Sequence, residues 1–278
     1  MNRTYLETNR MFFVQLMACF LFFAVLNLHV IAPLIDYADD MDKLFTSTLN
    51  YDGGGASDSF WFFISSNTAW VPLGITLVLS LTFYKKDLPI PSLVITLLLV
   101  FGLALTVTIA DQISASVLKP MFTRLRPSHS EDISGLLHHV NNYKGGRYGF
   151  VSSHAANAFA VFAFLAPTFR HRATAFILFA WACLVSYSRI YLGVHYVGDI
   201  VAGGFLGLTV GRGVSLLFFY LYLKISKSHS KLFPATDYRH AVESDPLTVT
   251  VICTGVFMLF YCVQQLAPFS LYGMMLYH

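Results

Sequence analysis

The sequence predicts an all-α fold, a polytopic bundle of membrane-spanning helices with six core spans and a seventh at the C-terminal end. Three observations predict it. Only 12% of the 278 residues are charged and 56% are hydrophobic, against about 25% charged in a soluble domain, and mean hydropathy is +0.61. The apolar residues fall in runs suited to crossing a bilayer, parted by polar connections. Lys and Arg gather in every second connection, which marks those connections as cytoplasmic.

The first run, Met11 to Leu34, follows Arg3 and Arg10 and reads as a span with its N-terminus in the cytoplasm. It is longer than the apolar region of a signal peptide and no small-residue cleavage site follows it. Residues 35–59 carry Asp36, Asp39, Asp40, Asp42, Asp52 and Asp58 against Lys43 alone and are broken by Gly53-Gly54-Gly55; they read as an acidic outside loop, without the EF-hand pattern. Phe60 to Ile64 is too short to span and reads as a helix lying in the interface. A second span, Ala69 to Tyr84, ends at the cytoplasmic pair Lys85-Lys86, and a third follows from Ile90 to Ala110. A polar outside segment, Asp111 to Arg147, leads to the fourth span, Phe150 to Phe169. Arg170-His171-Arg172 turns the chain into the fifth, Ala173 to Tyr187. The sixth runs from Val197 to Leu221, and after Lys224, Lys227 and Lys231 the last runs from Leu247 to Leu266. With no internal repeat and no soluble linker, residues 1–278 read as one domain.

The net charge of +3, with no basic tail, gives no footing for nucleic acid. Cys19, Cys183, Cys253 and Cys262 all sit within apolar runs, without a CxxC pair, and read as small buried hydrophobes. His129, His138 and His139 lie in the polar outside segment without clear metal-ligand spacing and read as loop histidines.

Polar residues concentrate in three clusters, all on the outside face. Lys119 and Arg126 are seven apart, two helical turns on one face, and could grip one phosphate if the helix bends or ends between them, with Pro127 as its stop. Taken alone, the pair reads equally well as a basic surface stretch. Ser152, Ser153 and His154 stand where the fourth span begins, and a helix N-terminus offers free amides to an anion; serines there also simply cap helices. His195 precedes Asp199 by four residues, so on a helix the carboxylate would hold one imidazole nitrogen and aim the other outward. A plain salt bridge from Asp199 to Arg189 is the alternative. The basic outside segment breaks the charge rule for membrane loops, which is explained if its cations bind substrate phosphate.

The pattern Lys119-x6-Arg126-Pro127, then Ser152-Ser153-His154, then Ser188-Arg189-x5-His195-x3-Asp199 resembles the three-part signature of the type 2 phosphatidic acid phosphatase superfamily, in its integral-membrane lipid phosphatase branch. Ser153 stands where that family usually carries glycine. The resemblance implies that His195 attacks phosphorus and becomes a phosphohistidine, that Asp199 orients it, and that His154 protonates the leaving oxygen. It implies that Lys119, Arg126 and Arg189 bind the phosphoryl oxygens, with Ser152 and the amides near Ser153 completing the cradle, and that no metal or cofactor is needed.

The expected function is hydrolysis of a lipid phosphate or diphosphate, with undecaprenyl diphosphate as first choice and lipid A or phosphatidylglycerol phosphate as alternatives. A transferase using the same phosphohistidine is a further alternative. The expected partners are the lipid substrate and membrane lipids, with no obligatory protein partner. The expected location is a bacterial inner membrane with the site facing the periplasm, because Tyr148-Gly149-Phe150 resembles the lead-in of bacterial members.

Overall fold

The structure, a computed structural model, describes residues 32–66, 92–168 and 172–228, together with a few scattered positions before residue 75. Most of the first and second spans expected from the sequence, and all of the last, lie outside the described residues. Helix α1 is Ala32–Leu49 and α2 is Gly54–Ser65. Helix α3, Ser92–Gln112, runs on through a π-helical segment, Ile113–Leu118, into the single turn α4, Lys119–Phe122. Three 3₁₀ turns punctuate the loop that follows. Helix α5 is Ser153–Leu165, α6 is Arg172–Tyr191 and α7 is Val197–Ser228. Among the described residues the only pairing of extended backbone is one isolated bridge, Leu125 to Tyr148.

Among the described residues two stretches, Leu97–Phe122 and Val197–Leu221, are long and apolar enough to cross a membrane by length and composition. Phe101, Phe176, Phe205 and Leu217 are exposed on the outer faces of α3, α6 and α7. Large apolar side chains held outward on neighbouring helices suit hydrocarbon surroundings rather than water.

Helices α5 and α7 form the centre. Gly203, Gly207 and Gly211 recur every fourth residue along one stripe of α7, against Ala156 and Ala160 of α5. A Cβ at Gly207 would press on the Ala156 carbonyl and lie 2.8 Å from the Ala160 nitrogen. The two backbones therefore meet directly, the small-xxx-small packing by which membrane helices gain close contact. Around them Ala110, Leu118, Phe150, Val151, Ala202 and Leu206 close a core.

Four sequence expectations need correction. Cys183, read as buried, is exposed on α6. The acidic stretch is a helix, α1, not a loop, because its polar side chains have partners: Asp42 and Thr46 accept from the backbone N–H groups of Gly198 (2.8 Å) and Val197 (3.2 Å). Those are the orphan donors of the first turn of α7, where negative charge also suits the helix dipole. The third span does not stop at Ala110. Its helix continues to Phe122, carrying Lys119 toward the site, and ends there with Thr123 in a left-handed conformation (φ 48) rather than at Pro127. Helix α2 buries Phe63 and Ile64 within the protein, and Trp61 and Phe62 pack on the cluster of Val140, Tyr191, Leu192 and Val194. Asn50, just past α1, donates to the carbonyls of Ile190, Tyr191 and His138 and accepts from His138 N, tying α1 to the end of α6 and to the outside loop.

Candidate active site

The three clusters converge at one end of the α5–α7 pair. His195 does not sit on a helix. It occupies the turn between α6 and α7, 1% exposed. The reversal needs Gly193, whose φ of +68 is open to glycine and strained for other residues. Asp199 is in the first turn of α7, fully buried. Its Oδ2 lies 3.2 Å from His195 Nδ1 and accepts the N–H of Tyr196 at 3.1 Å. The same oxygen thus caps the helix and anchors the imidazole, as the acidic residue of a capping box does. The i to i+4 spacing brings the two together as expected, but across a helix start. Gly149 lies against this pair: a Cβ there would fall 2.8 Å from Asp199 Oδ2.

Ser152 is the N-cap of α5, its Oγ accepting from Ala155 N, and it is fully buried. Ser153, in the glycine position of the family motif, is used: its Oγ accepts from Lys119 Nζ at 2.8 Å and from Ser114 Oγ at 2.9 Å. The hydroxyl seats the lysine that the π-helical turn delivers. His154 follows in the first turn of α5, within electrostatic reach of Arg189, His195 and Arg126, and the backbone of Ser65 is its hydrogen-bond partner.

Arg126 is in extended backbone beyond the helix end and is 8% exposed. It is held by Tyr148 O on Nε (3.2 Å) and Val194 O on Nη1 (3.4 Å). Arg189, at the last turn of α6, is 2% exposed. It donates through Nη1 to Ser65 Oγ and through Nη2 to Tyr143 Oη at 3.5 Å. Its Nε is buried with no hydrogen-bond partner among the described residues. A buried guanidinium N–H without an acceptor is costly, and a phosphoryl oxygen is the acceptor its chemistry fits.

All eight candidate residues, His195, His154, Asp199, Lys119, Arg126, Arg189, Ser152 and Ser153, therefore gather in one place. Asp199 does not pair with Arg189; its ion pair is with Arg124, at 3.0 Å. Arg124, Asp42, Asp39, Ser65 and Tyr143 are the residues sequence reasoning missed. A signal was present: the four aspartates within residues 36–42 outnumber the one local cation, Lys43, which leaves carboxylates open to pairing with cations from elsewhere in the chain.

His195 lies outside the spans. Burial, then the charges of Arg126, Arg189 and Lys119, hold its imidazolium form well below the usual value of 6.5. The ring is therefore neutral at pH 7. With Nδ1–H on Asp199, its Nε2 carries the free lone pair that a nucleophile needs.

A family model described as the PAP2 superfamily matches residues 93–223, from α3 into α7. The chain is 38% identical over 239 residues to a lipid A 4'-phosphatase of Bacteroides thetaiotaomicron, covering 84% of this chain and 100% of the relative. It is 32% identical over 238 residues to a lipid A 4'-phosphatase of Porphyromonas gingivalis, covering 86% of this chain and 98% of the relative. Among solved structures, a transmembrane PAP2-type phosphatidylglycerolphosphate phosphatase from Bacillus subtilis aligns with TM-score 0.48 at 23% identity, over 75% of this chain and 96% of that one.

Proposed function

Since the chain belongs to the PAP2 superfamily and is a membrane lipid phosphatase, we propose that it removes the 4'-phosphate of lipid A through a phosphohistidine formed on His195. What carries the choice of lipid is the match, along essentially their whole length, to two proteins named lipid A 4'-phosphatases. From the residues alone undecaprenyl diphosphate ranks first. Neither the site nor these relatives support that order, and lipid A moves ahead of it.

The geometry supports the following chemistry. Lys119, Arg126 and Arg189 bind the phosphoryl oxygens, joined by the free amides at the start of α5 behind Ser152. His195 Nε2 attacks phosphorus in line with the sugar oxygen. A P–N bond forms as the P–O bond breaks, and His154 gives its proton to the departing oxygen. The phosphoimidazolium carries positive charge, which Asp199 stabilises across Nδ1–H. Water then attacks phosphorus, His154 takes back a proton, and the P–N bond breaks to release phosphate and restore neutral His195. Residues 1–278 act as one domain, with the site at the periplasmic face of the inner membrane. The gathering of Lys85-Lys86, Arg170 to Arg172 and Lys224 to Arg239 in alternate connections of the sequence supports that orientation.

The test is phosphate release by the purified protein, with EDTA present, from lipid A 1,4'-bisphosphate, undecaprenyl diphosphate and phosphatidylglycerol phosphate. Fastest release is expected from lipid A, with a product that mass spectrometry shows to keep its 1-phosphate. Faster turnover of undecaprenyl diphosphate would refute the choice of lipid, and transfer of phosphate to an added lipid acceptor would favour the transferase.

The low pKa of His195 has a signed consequence. The nucleophile is lost only when protonated, so depressing its pKa carries activity further into acid. The acid limb of kcat/KM is expected below the ordinary histidine value of about 6.5. A limb centred at or above that value in a pH–rate profile would show that burial and the three cations do not tune this ring.

A further inference from the structure

Arg124 stands two residues before Arg126 and does something different. Its Nη1 donates to Asp199 Oδ1 at 3.0 Å, while its Nη2 donates to Asp39 Oδ1 at 2.6 Å and to Asp42 Oδ2 at 2.9 Å. The guanidinium carbon lies 4.1 Å from the centre of the Tyr196 ring. Both terminal nitrogens are committed to carboxylates, in contrast to Arg189 with its unpartnered Nε. The oxygen of Asp199 that Arg124 holds is the one His195 does not use. Asp42 in turn accepts from Gly198 N, and Asp39 is also held by Lys43 at 3.1 Å. The chain of contacts runs from α1 through Arg124 and Asp199 to His195. Helix α1 lies ahead of the stretch that the family model matches.

We propose that Arg124 is a positioning residue for the phosphatase reaction. It fixes the carboxylate plane of Asp199 so that Oδ2 faces His195 Nδ1, and α1 holds Arg124 in place through Asp39 and Asp42. The proposal rests on the reading of His195 as the nucleophile.

The physical reasons are three. A carboxylate can turn about its own bond, and a fully buried one with a single engaged oxygen would neither stay ionised nor stay aimed. The planar fork of Arg supplies a directional partner that a lysine point charge would not. An arginine paired with Asp199 alone would also neutralise the charge that the phosphoimidazolium needs. With Asp39 and Asp42 on its far side, Arg124 divides its charge among three carboxylates, and Asp199 keeps enough to stabilise the intermediate. The arrangement parallels the outer partners that orient metal-bound histidines, whose loss typically costs 10- to 100-fold.

A double-mutant cycle on the purified full-length protein tests this, with a lipid phosphate as substrate and inorganic phosphate as competing ligand. Arg124→Ala is expected to lower kcat by roughly 10- to 100-fold, with KM and the inhibition constant of phosphate almost unmoved, because Arg124 does not touch substrate. Asp42→Asn, which loosens Arg124 from outside, is expected to lower kcat less and in the same pattern. In an Asp199→Asn background, adding Arg124→Ala is expected to cost little more, since its route to His195 through the Asp199 carboxylate is already cut. A full additional loss in that background, or a rise in KM and in the phosphate constant matching the fall in kcat, would show that Arg124 acts on substrate and overturn the proposal. If Arg124→Ala does not fold, the same cycle is run with Arg124→Lys, which keeps the cation and loses the fork. His195→Ala separates the two readings. If that variant stays active, the nucleophile assignment fails; if it is inactive while the cycle is additive, only the role of Arg124 fails.

Discussion

His195→Ala is expected to abolish phosphate release, by on the order of 10⁴-fold or more, while leaving a folded protein. Loss of a nucleophile within a group that acts as a unit removes nearly all the rate that the unit supplies. On the proposed mechanism, what survives is the binding and charge stabilisation offered by Lys119, Arg126 and Arg189. The fold should persist because Asp199, the buried charge most exposed to the loss, keeps Arg124 on Oδ1 and Tyr196 N on Oδ2. The ring is nearly inaccessible in the native protein, so its removal leaves a small void and a modest fall in melting temperature. Two measurements decide it. Phosphate release from lipid A should vanish, and rapid quenching with radiolabelled lipid should show an alkali-stable, acid-labile phosphoenzyme in the native protein and none in the variant. Release within about tenfold of native, from a protein with a normal melting curve, is incompatible with the size of effect that loss of a nucleophile produces and would remove His195 from that role.

The eight candidate residues were legible as one cluster because their chemistry restricts residue type in a chain where polar groups are scarce. A lysine, two arginines, two histidines and a carboxylate at the ends of apolar runs have few other reasons to be there. Their neighbours were not legible, for identifiable reasons. Arg124 and Arg126 are two apart in one motif, and only the break at Thr123 and the bridge of Leu125 to Tyr148 send one toward the site cations and the other to Asp199. The partner of Asp199 lies 75 residues away, beyond any local spacing rule. Helix α1 looks like an acidic loop by composition, yet Asp39, Asp42, Lys43 and Thr46 recur at three- and four-residue intervals. That spacing is one helix face, and the face docks on α7. Hydropathy falls at Asp111 although the helix continues to Phe122, because Ser114 and Lys119 turn toward Ser153 rather than toward lipid. The glycine stripe of α7 carries a four-residue period in the sequence, which marks a face for close helix packing; that its partner is α5 is seen only in the structure.

That stripe supports the second large effect. Gly207→Leu is expected to separate α5 from α7 and to lose most of both stability and activity. At Gly207 the nearest atoms are backbone, the Ala156 carbonyl and the Ala160 nitrogen, and at Gly211 the Ala160 Cα lies 2.9 Å from an added Cβ. Backbone cannot swing aside as a side chain can, so the helices must part. Tolerated overpacking of a core costs about 1–3 kcal/mol, and a leucine driven between two helix backbones should exceed that range. On the proposed mechanism the loss reaches the chemistry, because α5 carries Ser152 at its N-cap and His154 in its first turn while α7 carries Asp199, so their separation pulls His154 away from His195. Alanine substitutions make the argument quantitative. Gly204 is one residue off the stripe, and its added Cβ would meet the Phe159 ring at 3.2 Å, a side chain free to tilt. Gly204→Ala should therefore be near neutral, its contact offset by the roughly 0.5–1 kcal/mol that alanine gains over glycine in a helix. Gly207→Ala should lower the melting temperature in detergent, and Gly207→Leu should lower it much further, together with phosphate release. Equal behaviour of the two alanine variants would mean that α5 and α7 do not meet along this stripe, and the placement of His154 opposite His195 would have to be rebuilt on a different helix pairing.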